Sequence, residues 1–230
     1  FEDDLHELYQ MSAHMCDFES DESSFITALK PGQTFEKKWL SLSASADSIS
    51  LDEWVQRRAP GHGDLMLQMD IEGAEYANLL SCSAETLQRF RVIIVEIHKL
   101  PMLVRPGRET CDAVLLAERL ESDFVTVHVH PNNCCGYVTV PGTSVRVPRV
   151  LEVTLLRRDR IDIGGHSYQP KLPHPLDIAF NVRRKRPVFL DDSWRGGPPT
   201  KPELVKSLEI LESFLNWQDE EDRRAAMHGK

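Results

Sequence analysis

The stretch Arg91-Val-Ile-Ile-Val-Glu-Ile-His98 constrains the fold more than any other part of the chain. Its centre, residues 92–95, is continuously apolar and β-branched, which suits a strand covered on both faces. Strands of that kind sit inside layered α/β sheets. The neighbouring segments agree with this. Residues 65–70 read as a second buried strand, and residues 124–130 and 150–157 as two more. Helical stretches lie between them at 51–58, 74–80, 84–90 and 111–120. Alternating short strands and helices predict an α/β sheet with helices on both faces. Ahead of this block, the pattern predicts a helix over 1–13, a short strand at 14–18, a short helix over 23–29 and a strand over 34–43. Pro141-Gly142 and Pro148 mark a turn-rich connection before the last strand.

A chain of 230 residues is long enough to bury a core, and composition after residue 161 shifts toward Gly and Pro. We expect a domain over 1–162 and, over 163–230, a Pro-rich connector with a C-terminal amphipathic helix packing on that domain. Leu204, Leu208, Leu211 and Leu215 form the apolar stripe of that helix. The net charge of −9 disfavours a nucleic-acid surface, so the basic run Arg183-Arg184-Lys185-Arg186 is read as a solvated turn. The apolar runs are too short to cross a membrane. Phe1-Glu2-Asp3-Asp4 does not read as a secretory leader, and the chain is expected to start inside a longer protein. Cys16, Cys82, Cys111, Cys134 and Cys135 lack zinc-ribbon spacing and point to a reducing, cytoplasmic setting. Adjacent Cys134 and Cys135 are read as reduced thiols in a loop, ahead of a vicinal disulfide or a soft-metal pair.

Three strands end in polar groups. Gln68, Asp70 and Glu72 share a parity, as do Glu96 and His98, and then His128 and His130. In a parallel sheet such ends lie on the carboxyl edge, where open α/β sheets bind ligands. Asp70 ends its strand and is the strongest candidate. Gly73 permits a tight turn after it; Glu72 and Glu75 fall where the dipole of the next helix favours acids, and Glu72 is read as a second catalytic residue beside Asp70, with Glu75 read equally as a site residue or a helix-start acid. His98 and His130 have three readings: general base, metal ligand or structural hydrogen-bonder. Asp70, Glu72 and Asn132 alone would suit Mg²⁺ or Ca²⁺, and with the histidines Zn²⁺ or Mn²⁺, although no zinc signature is present and a divalent metal is not favoured.

At these residues the sequence resembles the FkbM-type methyltransferases, a Rossmann-like branch of the enzymes that use S-adenosylmethionine. The carried pattern is Met69-Asp-Ile-Glu-Gly-Ala-Glu-Tyr76, Val95-Glu-Ile-His98, His128-Val-His-Pro-Asn-Asn133 and Val150-Leu-Glu-Val-Thr154, with Ser50-Leu51-Asp52 before it. The resemblance spans about residues 1–158. It implies methyl transfer from S-adenosylmethionine to an oxygen of a small molecule or glycan. It also implies that Glu19, or failing that Asp17, holds the ribose hydroxyls, although Ser20 stands where the family often has Pro. Asp70 would border the substrate, and His98 or His130 would remove the acceptor's proton. The family's first strand and Gly-rich loop have no counterpart in the sequence, so cofactor binding by this chain is expected to be weak. Two other readings stand beside this one: a metal-dependent hydrolase built on Asp70, His98 and His130, and a binding module that kept the fold without the cofactor loop.

Overall fold

The computed structural model describes residues 1–104, 108–140, 142–143, 145–161, 172–174, 177, 181–190 and 194. The elements run α1 (Glu2–Tyr9), β1 (Ala13–Cys16), β2 (Gln33–Glu36), β3 (Trp39–Leu40), β4 (Ser48–Ile49), α2 (Leu51–Arg58), β5 (Leu65–Met69), α3 (Glu75–Ser81), α4 (Ala84–Leu87) and β6 (Phe90–Ile97), followed by α5 (Arg108–Asp123), β7 (Phe124–Pro131), β8 (Tyr137–Thr139), β9 (Arg146–Pro148) and β10 (Leu151–Arg157). Short 3-10 turns occupy Glu22–Ser24, Leu100–Val104 and Arg158–Arg160. The fold is mixed α/β. Its largest sheet has the order β5-β6-β10-β7, and β1-β2, β3-β4 and β8-β9 form separate pairs. The chain divides into two units: Phe1–Ile97 with Leu115–Val127 and Val153–Ile161, and His98–Val114 with His128–Glu152 and Asp162–Lys230.

In the first unit, β5 and β6 are parallel, with Met69 opposite Val95. Ile49, Leu67, Leu79, Leu87, Ile93, Val95 and Phe124 are buried here. Each buried side chain of that size is worth about 1.5–3 kcal/mol in transfer terms. Helix α2 starts where Ser50 accepts a hydrogen bond from the Glu53 amide, and it ends in Arg57 and Arg58. Those two arginines reach back to β2. Arg57 Nη1 lies 3.0 Å and Arg58 Nε 2.6 Å from the two oxygens of Glu36, a largely buried carboxylate. Asp52 ties the first turn of α2 to the start of α4. Its oxygens accept the Ser83 amide at 3.0 Å and the Ser83 hydroxyl at 2.7 Å. The same hydroxyl caps α4 by accepting from the Thr86 amide. Arg119 of α5 donates to the carbonyls of Leu80 and Cys82 at the end of α3.

The second unit contains the β8-β9 hairpin, antiparallel with Val138 opposite Val147. The Arg146 guanidinium lies 4.6 Å from the centre of the Tyr137 ring and staples its two strands. The sequence pattern read this stretch only as a turn-rich connection, because each strand is three residues long and carries no usable period. The basic run 183–186 is an exposed turn, as expected. The helix expected at 202–217 lies outside the described residues.

Three front-end expectations need correction. The first helix stops at Tyr9, because Gln10 takes a left-handed φ of 54°. The helix expected over 23–29 is only the turn Glu22–Ser24. Asp21 accepts the Ser23 amide, then Phe25 turns extended and sets its ring edge-on to Phe35 at 5.0 Å. The strand expected over 34–43 is two strands, broken where the Lys38 amide bonds back to Glu36, and the second of them pairs with Ser48–Ile49.

Burial pushes the Asp52 carboxyl up, but hydrogen bonds from Thr86, Ser83 and Cys82 outweigh it and hold the group below the usual carboxylate range. A carboxyl lowered in the folded state stabilises fully above its unfolded value, and that stabilisation fades as pH falls through the folded value. Asp52→Asn is therefore expected to lower unfolding free energy by about 1–2 kcal/mol at pH 7, with a smaller deficit near pH 3. Urea denaturation of both proteins at the two pH values measures this.

Candidate functional site

Strand β5 ends at Met69, which is 3 % exposed, and the chain then passes through Asp70-Ile71-Glu72-Gly73-Ala74 into α3. Since Met69 faces Val95 in parallel register, the next residues, Asp70 and Glu96, stand side by side at the ends of adjacent strands. Asp70 is exposed and Glu96 half-buried. Both carboxylates occupy the carboxyl edge of the pair. Acids held there accept hydrogen bonds from a polyhydroxylated ligand or attract a cation.

The turn has a mechanical logic. Gly73 sits at a φ of 105°, which a side chain would make costly, and Glu72 at 56°, left-handed and unusual for a residue with a Cβ. Glu75 makes this path possible. It is 0 % exposed, and its Oε1 accepts the amides of Ile71 at 3.2 Å and Gly73 at 3.1 Å. One buried carboxylate thus holds the loop from inside, while Asp70 and Glu72 remain exposed on it. Glu72 lies beyond the strand, so the parity that grouped it with Asp70 does not apply.

At the end of β1, Asp17 and Glu19 are both exposed. The Ser20 hydroxyl bonded to Asp17 holds its carboxyl below the usual range; burial opposes this, and the Glu19 amide at 2.9 Å adds to it. Asp17 is thus occupied by its own turn. The Glu19 carboxylate makes no hydrogen bond or ion pair among the described residues. Phe18, between them, stacks on Trp39 with ring centres 5.1 Å apart.

His98 opens the second unit. It is half-buried and followed by Lys99 at a φ of 57°. His128 and His130 share a face of β7, and both meet the Asp177 carboxylate. His128 Nε2 lies 3.0 Å from Oδ1, and His130 Nδ1 lies 3.8 Å from Oδ2. The His174 amide donates to Oδ2 at 2.8 Å. On its other side, His130 Nε2 lies 3.2 Å from Asn181 Oδ1, and Asn181 Nδ2 donates to Glu152 at 2.6 Å. That last bond fixes the amide's orientation, so Nε2 of His130 is the donor to Asn181. His130 Nδ1 is shut away from solvent without a hydrogen bond, whereas His128 is about one-third exposed. His130 and Asp177 also line a small, partly open cleft, with Val129, Leu172, Val188 and Phe189 among its apolar walls.

Neither Asp177 nor Asn181 stood out in the sequence. Both lie in the Pro-rich connector, where no periodicity assigns a residue to a face. The only available signal was the unexplained His128/His130 parity, which called for a partner.

The family model for the methyltransferase FkbM domain matches residues 15–115, the family that the motifs resemble. The match runs from β1 into α5, and takes in Asp17, Glu19, Asp70, Glu72 and His98; His128 and His130 fall beyond it. Comparison with curated proteins and with solved structures gives no match. Among the described residues no helix is long and apolar enough to cross a membrane.

Removing the Glu75 carboxylate orphans two amides inside the turn. Glu75→Ala is expected to cost about 3 kcal/mol, and Glu75→Gln, which keeps an acceptor oxygen, about 1 kcal/mol. Chemical denaturation ranks the two, and equal losses would contradict the role given to Oε1.

Proposed function

We propose that this chain is a domain of an S-adenosylmethionine-dependent methyltransferase of Rossmann-like architecture, acting on a hydroxyl of a small molecule or glycan. The match of residues 15–115 to the FkbM methyltransferase domain carries the reading. The cofactor supplies an electrophilic methyl group on a sulfonium centre. The residues present fit part of its binding. A ribose needs a carboxylate able to accept two hydroxyl protons. Glu19 is exposed and uncommitted, whereas Asp17 already serves Ser20 and the Glu19 amide. We therefore assign ribose binding to Glu19.

The acceptor is proposed to be rich in hydroxyls, because Asp70 and Glu96 at the strand ends provide acceptors for them. Methyl transfer to oxygen also needs somewhere for the hydroxyl proton to go. His128 has the better chemistry for this among the histidines of β7. Its Nε2 is oriented by Asp177, its Nδ1 makes no hydrogen bond among the described residues, and it is partly exposed. An imidazolium formed there stands against a carboxylate, the arrangement that supports a histidine base in many hydrolases. His130 then acts as a positioning residue that braces Asp177 and Asn181, and His98 remains a second candidate base.

Titration calorimetry with S-adenosylhomocysteine and a radiolabelled methyl-transfer assay over hydroxylated acceptors test this in the full-length protein. Glu19→Gln is expected to weaken S-adenosylhomocysteine about tenfold, the loss of one charge-assisted contact. His128→Gln is expected to lower kcat about a hundredfold and leave that affinity unchanged. If the full-length protein neither binds S-adenosylhomocysteine nor transfers a methyl group, the proposal fails.

A further inference from the structure

The adjacent cysteines have no role in the proposed methyl transfer, and their surroundings differ from those of Cys16 and Cys82. All five cysteines are reduced. Cys82 is buried, and burial pushes its thiol up to about 12; burial also raises Cys16, to about 11. Both are inert packing groups. Cys134 and Cys135 instead occupy a surface turn of the second unit, with Cys135 exposed and Cys134 half-buried. Their sulfurs are 3.0 Å apart, the Cys134 thiol donating to Cys135.

The turn that brings the sulfurs together is held from several directions. Asn132 Oδ1 accepts the Cys134 amide at 2.9 Å. Asn133 is 2 % exposed, donates to the carbonyls of Val182 at 3.0 Å and Lys185 at 3.1 Å, and accepts the Val182 amide at 2.8 Å. The Lys185 ammonium donates to the Cys134 carbonyl. Gly136 follows at a φ of 71°, with open space where a Cβ would be. These bonds fix the backbone from which both sulfurs project, so that they meet by side-chain rotation alone. An accessible thiol held against a second thiol is the arrangement that turns oxidation into a disulfide rather than further oxygenation.

We propose that Cys134 and Cys135 form an oxidative modification site, in which a hydroperoxide converts the dithiol to a vicinal disulfide. The Cys135 thiolate attacks the peroxide: an S–O bond forms, the O–O bond breaks, and water or an alcohol leaves with the proton. The Cys134 sulfur then attacks the sulfenic sulfur. The S–S bond forms, the S–O bond breaks, and hydroxide departs as water with the Cys134 proton. Two thiols lose two electrons and two protons, and the peroxide is reduced. The sulfurs close from 3.0 Å to about 2.05 Å, which rearranges the backbone on which Asn133 holds residues 182–186.

Treating the protein with hydrogen peroxide, alkylating it and mapping peptides by mass tests the assignment. The peptide spanning 134–135 is expected to lose about 2 Da, to resist alkylation at both positions, and to recover on dithiothreitol. In Cys134→Ser, Cys135 is expected to accumulate as a sulfenic acid trapped by dimedone. In Cys135→Ser, reaction at Cys134 is expected to slow at least tenfold. Full alkylation of both thiols after peroxide overturns the proposal. So does a disulfide linking Cys135 to another chain, or equal rates of sulfinic acid formation at Cys135 in the wild type and in Cys134→Ser.

Discussion

A carboxylate with no access to water must find donors inside the protein, and Glu75 finds them in the backbone of the turn it follows. The remainder of the first unit's candidate site depends on that choice. Because Glu75 ties down the amides of Ile71 and Gly73, the chain can leave β5, pass two residues through left-handed backbone and enter α3 at once. Asp70 is thereby left at the strand end beside Glu96, and Glu72 is lifted off the strand. The strain at Glu72, of order 1 kcal/mol or more, is tolerated because the buried bonds outweigh it. In the same unit, Glu36 and Asp52 anchor α2 at its two ends, one through Arg57 and Arg58, the other through Ser83. Buried or half-buried acids, each with named donors, fix the geometry around the sheet edge.

The second unit uses one acid differently. Asp177 sits between two histidines of the same strand face and gives each a separate oxygen. The consequence is an asymmetry between them. His130 is closed in and committed to Asn181, and His128 is open and oriented. Two residues that look equivalent in a strand pattern come to differ because the connector meets both ring nitrogens of His130, through Asp177 and Asn181, but only Nε2 of His128.

Much of the first unit was legible in the sequence. The limits of α2 follow from Ser50, Glu53 and Pro60, and those of β5 and β6, to within a residue, from their apolar centres, because local signals and burial agree there. The acidic turn after β5 was also visible. Its internal order was not: the placement of Glu75 at a helix start did not reveal that its side chain points back into the loop. The short strands around β3, β4, β8 and β9 were hidden for a different reason, since runs of two or three residues are made by pairing rather than by periodicity. Asp177 and Asn181 were beyond reach because tertiary contact alone assigns them to His128 and His130.

Asn133 has a consequence of its own. Its amide group meets an N–H and carbonyls of residues 182–186 in the manner of a neighbouring strand, so one side chain substitutes for a sheet edge. A ladder of strand pairing specifies register over many residues and thereby the length of what connects the strands. A single-residue clasp specifies only a landing point. Just before that point the chain is also held through Asp177 to His128 and His130 and through Asn181 to His130 and Glu152, so the clasp completes a placement that those contacts begin.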